Sequence, residues 1–288
     1  MGTWWSLDME TGDADIVVSA YEIPATEVGP VRTVNYTAAD SHEDGWHSDA
    51  AARSRGQEPP TGHVAHGGPA ARDLPQFDWL AQAFAVHGYA VSQPNFRGST
   101  QRGAQFLRAG HGQWGGKMQT DISDGLAELV RQGIVDPKRA CIVGASYGGY
   151  AALAGVTLQS GLYRCAVSYA GVTDLGAYRD GEMEASNGNA TLGRNLDEEL
   201  GKRTTLDEVS PIKFVSKVSV PVLLIHGKND TVVPHAQSDR MARALQRAGK
   251  DVQLLSLDGE DHWLSRSKTR TQMLEAAVSF VEKNNPPN

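Results

Sequence analysis

From about residue 63 to the C-terminus the chain alternates short apolar runs with amphipathic segments. That alternation constrains the fold more than any other feature. The runs cover 89–92, 140–143, 166–169, 220–225 and 252–257. They are mostly apolar on both faces, as strands of a covered parallel sheet are. Helical patterns fall between them, over 78–87, 121–132, 148–157, 236–248 and 268–284. In 121–132, Ile122, Leu126, Leu129 and Val130 form one stripe, and Gly133 offers a stop. Strand–helix alternation with right-handed crossovers predicts an α/β fold with a mostly parallel, doubly wound sheet flanked by helices. The chain has 288 residues, enough for one such domain.

Two regions break the pattern. Residues 175–208 are polar and weakly periodic, which predicts short helices above the sheet, where substrate pockets are often built. From Asn35 to Gly62 there is no Val, Ile, Leu, Phe, Met or Cys. Yet a strand should lead into His66-Gly67-Gly68-Pro69.

The strongest chemical signal is Gly144-Ala145-Ser146-Tyr147-Gly148-Gly149, which follows the run Ala140-Cys141-Ile142-Val143. Gly-x-Ser-x-Gly between a strand and a helix is a nucleophile elbow. Glycines flank the serine so that strand and helix can approach, and the turn lifts the hydroxyl above the sheet. The Tyr147 N–H then faces a developing oxyanion. A serine hydroxyl needs a base, and the order in this architecture is Ser, acid, His. His226, His235 and His262 follow Ser146. His262 stands in a loop after the last strand and is the favoured base. His226 ends an aliphatic run and reads as a structural residue at the sheet edge, and His235 follows Val233-Pro234 and is expected to start a helix. For the acid, Asp230 on the loop after the preceding strand is favoured and Asp258 is the runner-up. Glu260 and Asp261 stand too near the base in sequence to orient it. A second oxyanion donor fits Gly68, with Gly67 the alternative.

Composition removes other classes. The net charge is −7, which argues against a nucleic-acid surface or a basic membrane patch. No apolar run reaches the roughly 18 residues of a membrane span. The N-terminus is acidic and lacks a signal-peptide core, so a cytoplasmic location is expected. Cys141 and Cys165 sit inside apolar runs and read as free, buried thiols of a reducing compartment. His42, His47, His63 and His66 match no metal spacing. No cofactor or metal is expected.

These motifs together resemble the catalytic domain of the prolyl oligopeptidase family, particularly its acylaminoacyl-peptidase and dipeptidyl-peptidase-like branches. The matching pieces are HGGP at 66–69, GYAVSQPNFRGST at 88–100, WGGKMQTDISDG at 114–125, GASYGGYAAL at 144–153, YAGVTDL at 169–175, PVLLIHGKNDTVVP at 221–234 and GEDHWL at 259–264. The resemblance implies an α/β-hydrolase fold, a triad of Ser146, Asp230 and His262, and an oxyanion hole at Tyr147 and the HGGP loop. It also places Arg97 and Gly98 in a loop used near the site, with a purely structural role the equal alternative. Family members carry an N-terminal β-propeller for which 288 residues leave no room. Residues 1–35 are therefore expected to be a propeller remnant and linker, and 36–288 the catalytic domain, with 41–65 anomalous. The chain is then a fragment or a solitary hydrolase domain.

Related domains have two apolar strands around a proline turn where this chain has the polar stretch. Read one base out of frame, with codons the residues permit, 41–66 can spell Met-Ala-Gly-Ile-Leu-Thr-Leu-Pro-Pro-Gly and then Leu-Pro-Leu-Val-Met-Leu. Paired frameshifts over about 41–65 are therefore expected, and the coding nucleotides test them. If the polar text is real, two strands should be weakened or missing. The expected function is hydrolysis of small carboxylic esters through an acyl-enzyme, extending to short peptide or acyl-amino-acid amides. The alternatives are an oligopeptidase proper and a catalytically impaired scaffold. The expected partner is a small ester or short peptide, with no nucleic acid and no membrane; homo-oligomerisation is left open.

Overall fold

The structure, a computed structural model, describes residues 3–19, 28–40, 47–53 and 59–287. The first strands, β1 (Thr3–Leu7) and β2 (Ala14–Ser19), form a two-stranded antiparallel hairpin. Asp8 closes its turn by accepting from the Glu10 and Thr11 N–H groups, as a short acceptor side chain in a turn does.

The main sheet contains β3 (Arg32–Thr37), β4 (His47–Arg53), β5 (Thr61–Ala65), β6 (Ala90–Pro94), β7 (Ala140–Ala145), β8 (Cys165–Tyr169), β9 (Val222–Gly227) and β10 (Val252–Leu257). Their spatial order is β10-β9-β8-β7-β5-β6-β4-β3. β5 to β10 are parallel, while β4 and β3 add antiparallel at one edge. The expected α/β-hydrolase sheet is present. β3 begins at Arg32 and so runs across the 35/36 division expected between linker and catalytic domain.

The helices are α1 (Trp79–Val86), α2 (Ala104–Arg108), α3 (Lys117–Arg131), α4 (Tyr147–Thr157), α5 (Leu175–Ala185), α6 (Ala190–Leu200), α7 (Ala236–Arg247) and α8 (Ser267–Asn284). Among the described residues no helix is long and apolar enough to cross a membrane. Strand pleating explains the layers, because successive side chains point to opposite faces. On β9, Val222 and Leu224 join the core under α3, α4 and α7, whereas Leu223 and Ile225 join the core under α1 and α8. On β7, Ile142 faces the first core, and Cys141 and Val143 the second. Both faces are covered, so the strands are aliphatic throughout.

Local signals set the helix ends. Asp78 caps α1 by accepting from the Ala81 N–H, and Asp174 and Asn189 cap α5 and α6 in the same way. Gly133 follows α3 with a positive φ of 66°, the left-handed stop that glycine allows. The polar 175–208 stretch thus carries two capped helices.

Two expectations need correction. Both early strands form: β4 pairs with β3 and β6, and β5 lies between β6 and β7. The ladder is made by backbone groups, so flanking strands can hold a polar segment that side-chain pattern alone would not nominate. The cysteines are also not free. Cys141 and Cys165 are bonded, with Cα atoms 4.7 Å apart. The register sets them opposite one another on β7 and β8, a relation their spacing along the chain does not reveal. They therefore give no support to a reducing compartment.

Candidate active site

Ser146 lies between β7 and α4 with φ 57° and ψ −118°. A non-glycine residue there is strained, and such strain persists only where surrounding structure enforces it. The enforcement is visible. The Ser146 N–H donates to the Tyr169 carbonyl at 2.9 Å, and the Ser146 carbonyl accepts from Tyr150 N–H at 3.0 Å. A Cβ on Gly144 would collide with the Gly148 backbone, and one on Gly148 with the Ala65 carbonyl. The glycines are needed because elbow, helix and β5 pass within backbone contact.

Tyr147 is buried, and its ring packs edge-on against Trp114, with centroids 4.6 Å apart. Its side chain thus points into the core, while its N–H opens α4. Gly67 packs against Ala145 and Ser146, since a Cβ there would lie 3.5 Å from the Ser146 Cβ. Gly68 follows with φ 116°, a backbone state reserved for glycine. His66 braces this loop: Nδ1 meets the Gly67 carbonyl at 2.7 Å, Nε2 meets Ser99 Oγ at 2.9 Å, and the ring stacks on Phe96.

His262 Nδ1 lies 2.7 Å from Asp230 Oδ2. Asp230 Oδ1 accepts from the Val232 and Val233 N–H groups at 2.9 and 2.8 Å. Burial would raise the pKa of this carboxyl, but hydrogen bonds from His226, His262 and the Val233 N–H prevail and hold it well below the usual carboxylate range. Asp230 is therefore charged at neutral pH. The other acids lie elsewhere. Asp258 pairs with Lys228 at 2.6 Å, Asp261 bonds Ser265, and Glu260 is buried against Thr269.

Sequence reasoning missed two supports. His226, buried at the end of β9, approaches Asp230 Oδ2 at 3.2 Å with Nε2, which also meets the Val233 carbonyl at 2.8 Å. Its Nδ1 meets Ser238 Oγ at 2.8 Å. A polar residue closing an aliphatic strand, four positions before the acid, was the available signal. Tyr169 is the other support. Its hydroxyl donates toward the Asp261 and His262 carbonyls at 2.8 and 3.1 Å, so one residue ties the serine turn to the base loop. His235 bonds Ser256 Oγ instead. Arg97 is buried and paired with Asp121 and Asp40, which is a structural arrangement.

Ser146, His262, Gly67 and Gly68 all line one cavity of about 440 Å³. The structure brings the expected serine, base, acid and both oxyanion candidates to one end of the sheet. Among the described residues no group of three or more His, Cys, Asp or Glu is placed to hold a metal ion.

A model of the prolyl oligopeptidase family matches residues 75–285. The chain belongs to that family. Among its members, dipeptidyl aminopeptidase BIII of Pseudoxanthomonas mexicana is 31% identical over 283 residues, covering 96% of this chain and 38% of the relative. The acylamino-acid-releasing enzyme of Arabidopsis thaliana is 27% identical over 243 residues, covering 81% and 31%. The structure of a Mycobacterium tuberculosis puromycin-hydrolyzing peptidase superposes with a TM-score of 0.86 at 27% identity, over 98% of this chain and 43% of that one. The chain thus spans about two fifths of these family members' length or less.

Proposed function

We propose that the chain is a serine hydrolase that cleaves short peptide or acyl-amino-acid amides, and small esters alongside them. The reading rests on one observation: the strained Ser146 turn and the His262–Asp230 pair line or adjoin a single cavity. Ser146 Oγ attacks the substrate carbonyl while His262 Nε2 takes its proton. Asp230 holds Nδ1–H and stabilises the imidazolium. The Tyr147 and Gly68 N–H groups hold the oxyanion. The tetrahedral intermediate collapses as His262 returns the proton to the leaving nitrogen or oxygen, and water then releases the acyl group by the same steps. Two of the relatives named above carry peptidase names and the third is an acylamino-acid-releasing enzyme, which supports amides ahead of esters as the main substrate class.

Two experiments test this. A fluorophosphonate probe labels only an activated serine, so it should label the protein at Ser146 and should not label Ser146→Ala. Turnover of aminoacyl p-nitroanilides and p-nitrophenyl esters should fall by about 10⁴-fold or more in that variant. Retained labelling or turnover in Ser146→Ala would overturn the assignment.

A further inference from the structure

Packed interiors hold few voids larger than a water molecule. The cavity at Ser146 is an exception, because it penetrates the core between the sheet and helices α1 and α8. Trp79 and Leu80 from α1 and Met273 and Ala277 from α8 form its walls, and Val143 and Val167 lie on the sheet side. Among the described residues no Asp, Glu, Lys or Arg lines it. An apolar space of this kind accepts an apolar group and gives nothing to an ion. A void of roughly 150 Å³ takes up benzene, and this one is about 440 Å³, so an aromatic side chain or a short alkyl group fits with room to spare.

Its position indicates which end of the substrate enters. Val232 stands two residues after Asp230, and Trp263 and Leu264 directly follow His262. All three line the cavity. Trp263 is 69% exposed and sits edge-on to the His262 ring at 5.6 Å, so it forms a lip beside the imidazole. Of the proposed oxyanion donors, Gly68 lines the cavity beside Gly67, whereas the Tyr147 ring packs under the opposite face of the sheet. The cavity thus runs from the oxyanion loop to the base loop, and through Trp263 it adjoins the imidazole that hands its proton to the departing atom. Resting on the hydrolase reading above, we infer that this cavity binds the leaving group, and that the enzyme prefers bonds whose departing amine or alcohol carries a bulky apolar or aromatic group. In a peptide this is the residue after the scissile bond.

Two matched ester series test it. In the first, one N-acyl-alanine is esterified with methanol, butanol, benzyl alcohol or 2-naphthylmethanol. In the second, the alcohol is kept as p-nitrophenol and the acyl chain grows from acetyl to octanoyl. The first series should rise in kcat/KM by about tenfold or more from methyl to benzyl, and the second should rise much less. Ala277→Leu, which fills the cavity from α8, should lower the benzyl-to-methyl ratio severalfold, and Trp263→Ala, an exposed position with little risk to folding, should lower it too. A flat first series, or a steep second series with a flat first, would overturn the inference even while fluorophosphonate still labels Ser146. Loss of labelling would instead bring down the hydrolase reading beneath it.

Discussion

β5 and β7 lie side by side in one sheet and each ends in the candidate site, yet they are built differently. β7 buries Cys141, Ile142 and Val143 and leads to Ser146 and Tyr147. β5 is equally buried but carries Thr61 and His63, and Thr61 Oγ1 and His63 Nδ1 have no hydrogen-bond partner among the described residues. Ser92 Oγ, across from His63 on β6, has none among the described residues either. Each orphaned polar atom costs roughly 1–3 kcal/mol. The proposed oxyanion hole takes one donor from the end of each strand, so half of it stands on a strong strand and half on a weak one. The weak half is braced from outside the strand, through His66, Ser99 and Phe96. Precise geometry at a site can thus be secured by the loop's own contacts when the strand beneath it is poor.

The largest expected effect lies outside both strands, at Asp230 on the loop after β9. Asp230→Asn keeps the shape but cannot hold the imidazole in the working tautomer, so kcat should fall about 10⁴-fold with the melting temperature little changed. A loss of tenfold or less would mean that Asp230 does not hold the His262 imidazole for the reaction. Next comes the brace. His66→Ala frees the Gly67–Gly68 loop, and loss of one oxyanion donor lowers kcat by up to about 10²–10³. If kcat is unchanged in a variant that still folds, the loop does not depend on this histidine.

The smallest effect is on stability. His63→Ile removes a buried imidazole and its orphan nitrogen while the Ile122 carbonyl stays in its helix, and should raise unfolding free energy by roughly 1–3 kcal/mol. Burial pushes the His63 pKa down to about 4. The unfolded chain then binds the proton more readily than the folded one between about pH 6.5 and pH 4. Its protonation adds no cost above that window and destabilises the fold as pH falls through it, by roughly 3 kcal/mol in all. The advantage of the Ile variant, measured by denaturant melts, should widen from pH 7 to pH 4. A constant gap would show that His63 is not held neutral.

Much of this was legible in the residues. The aliphatic runs placed β6 to β10 to within a few positions, and Gly-x-Ser-x-Gly, the Asp230 loop and the His262 loop followed from chain order. What was not legible depends on register and on backbone pairing. Cys141 meets Cys165, and His226 meets Asp230, only after parallel strands and their loops align. β4 has no apolar pattern to reveal it, because its ladder is satisfied by β3 and β6 on either side. The α1–α8 cavity was invisible because it is made of residues that read, one by one, as ordinary core.

The Cys141–Cys165 bond joins positions 24 apart, and between them lie the serine turn and all of α4. The proposed nucleophile therefore sits on a closed covalent ring. A single peptide cut within that ring would not separate the two parts of the chain, which would stay tethered through sulfur until reduced. The segment that has to keep a strained turn is the one from which neither end can drift away.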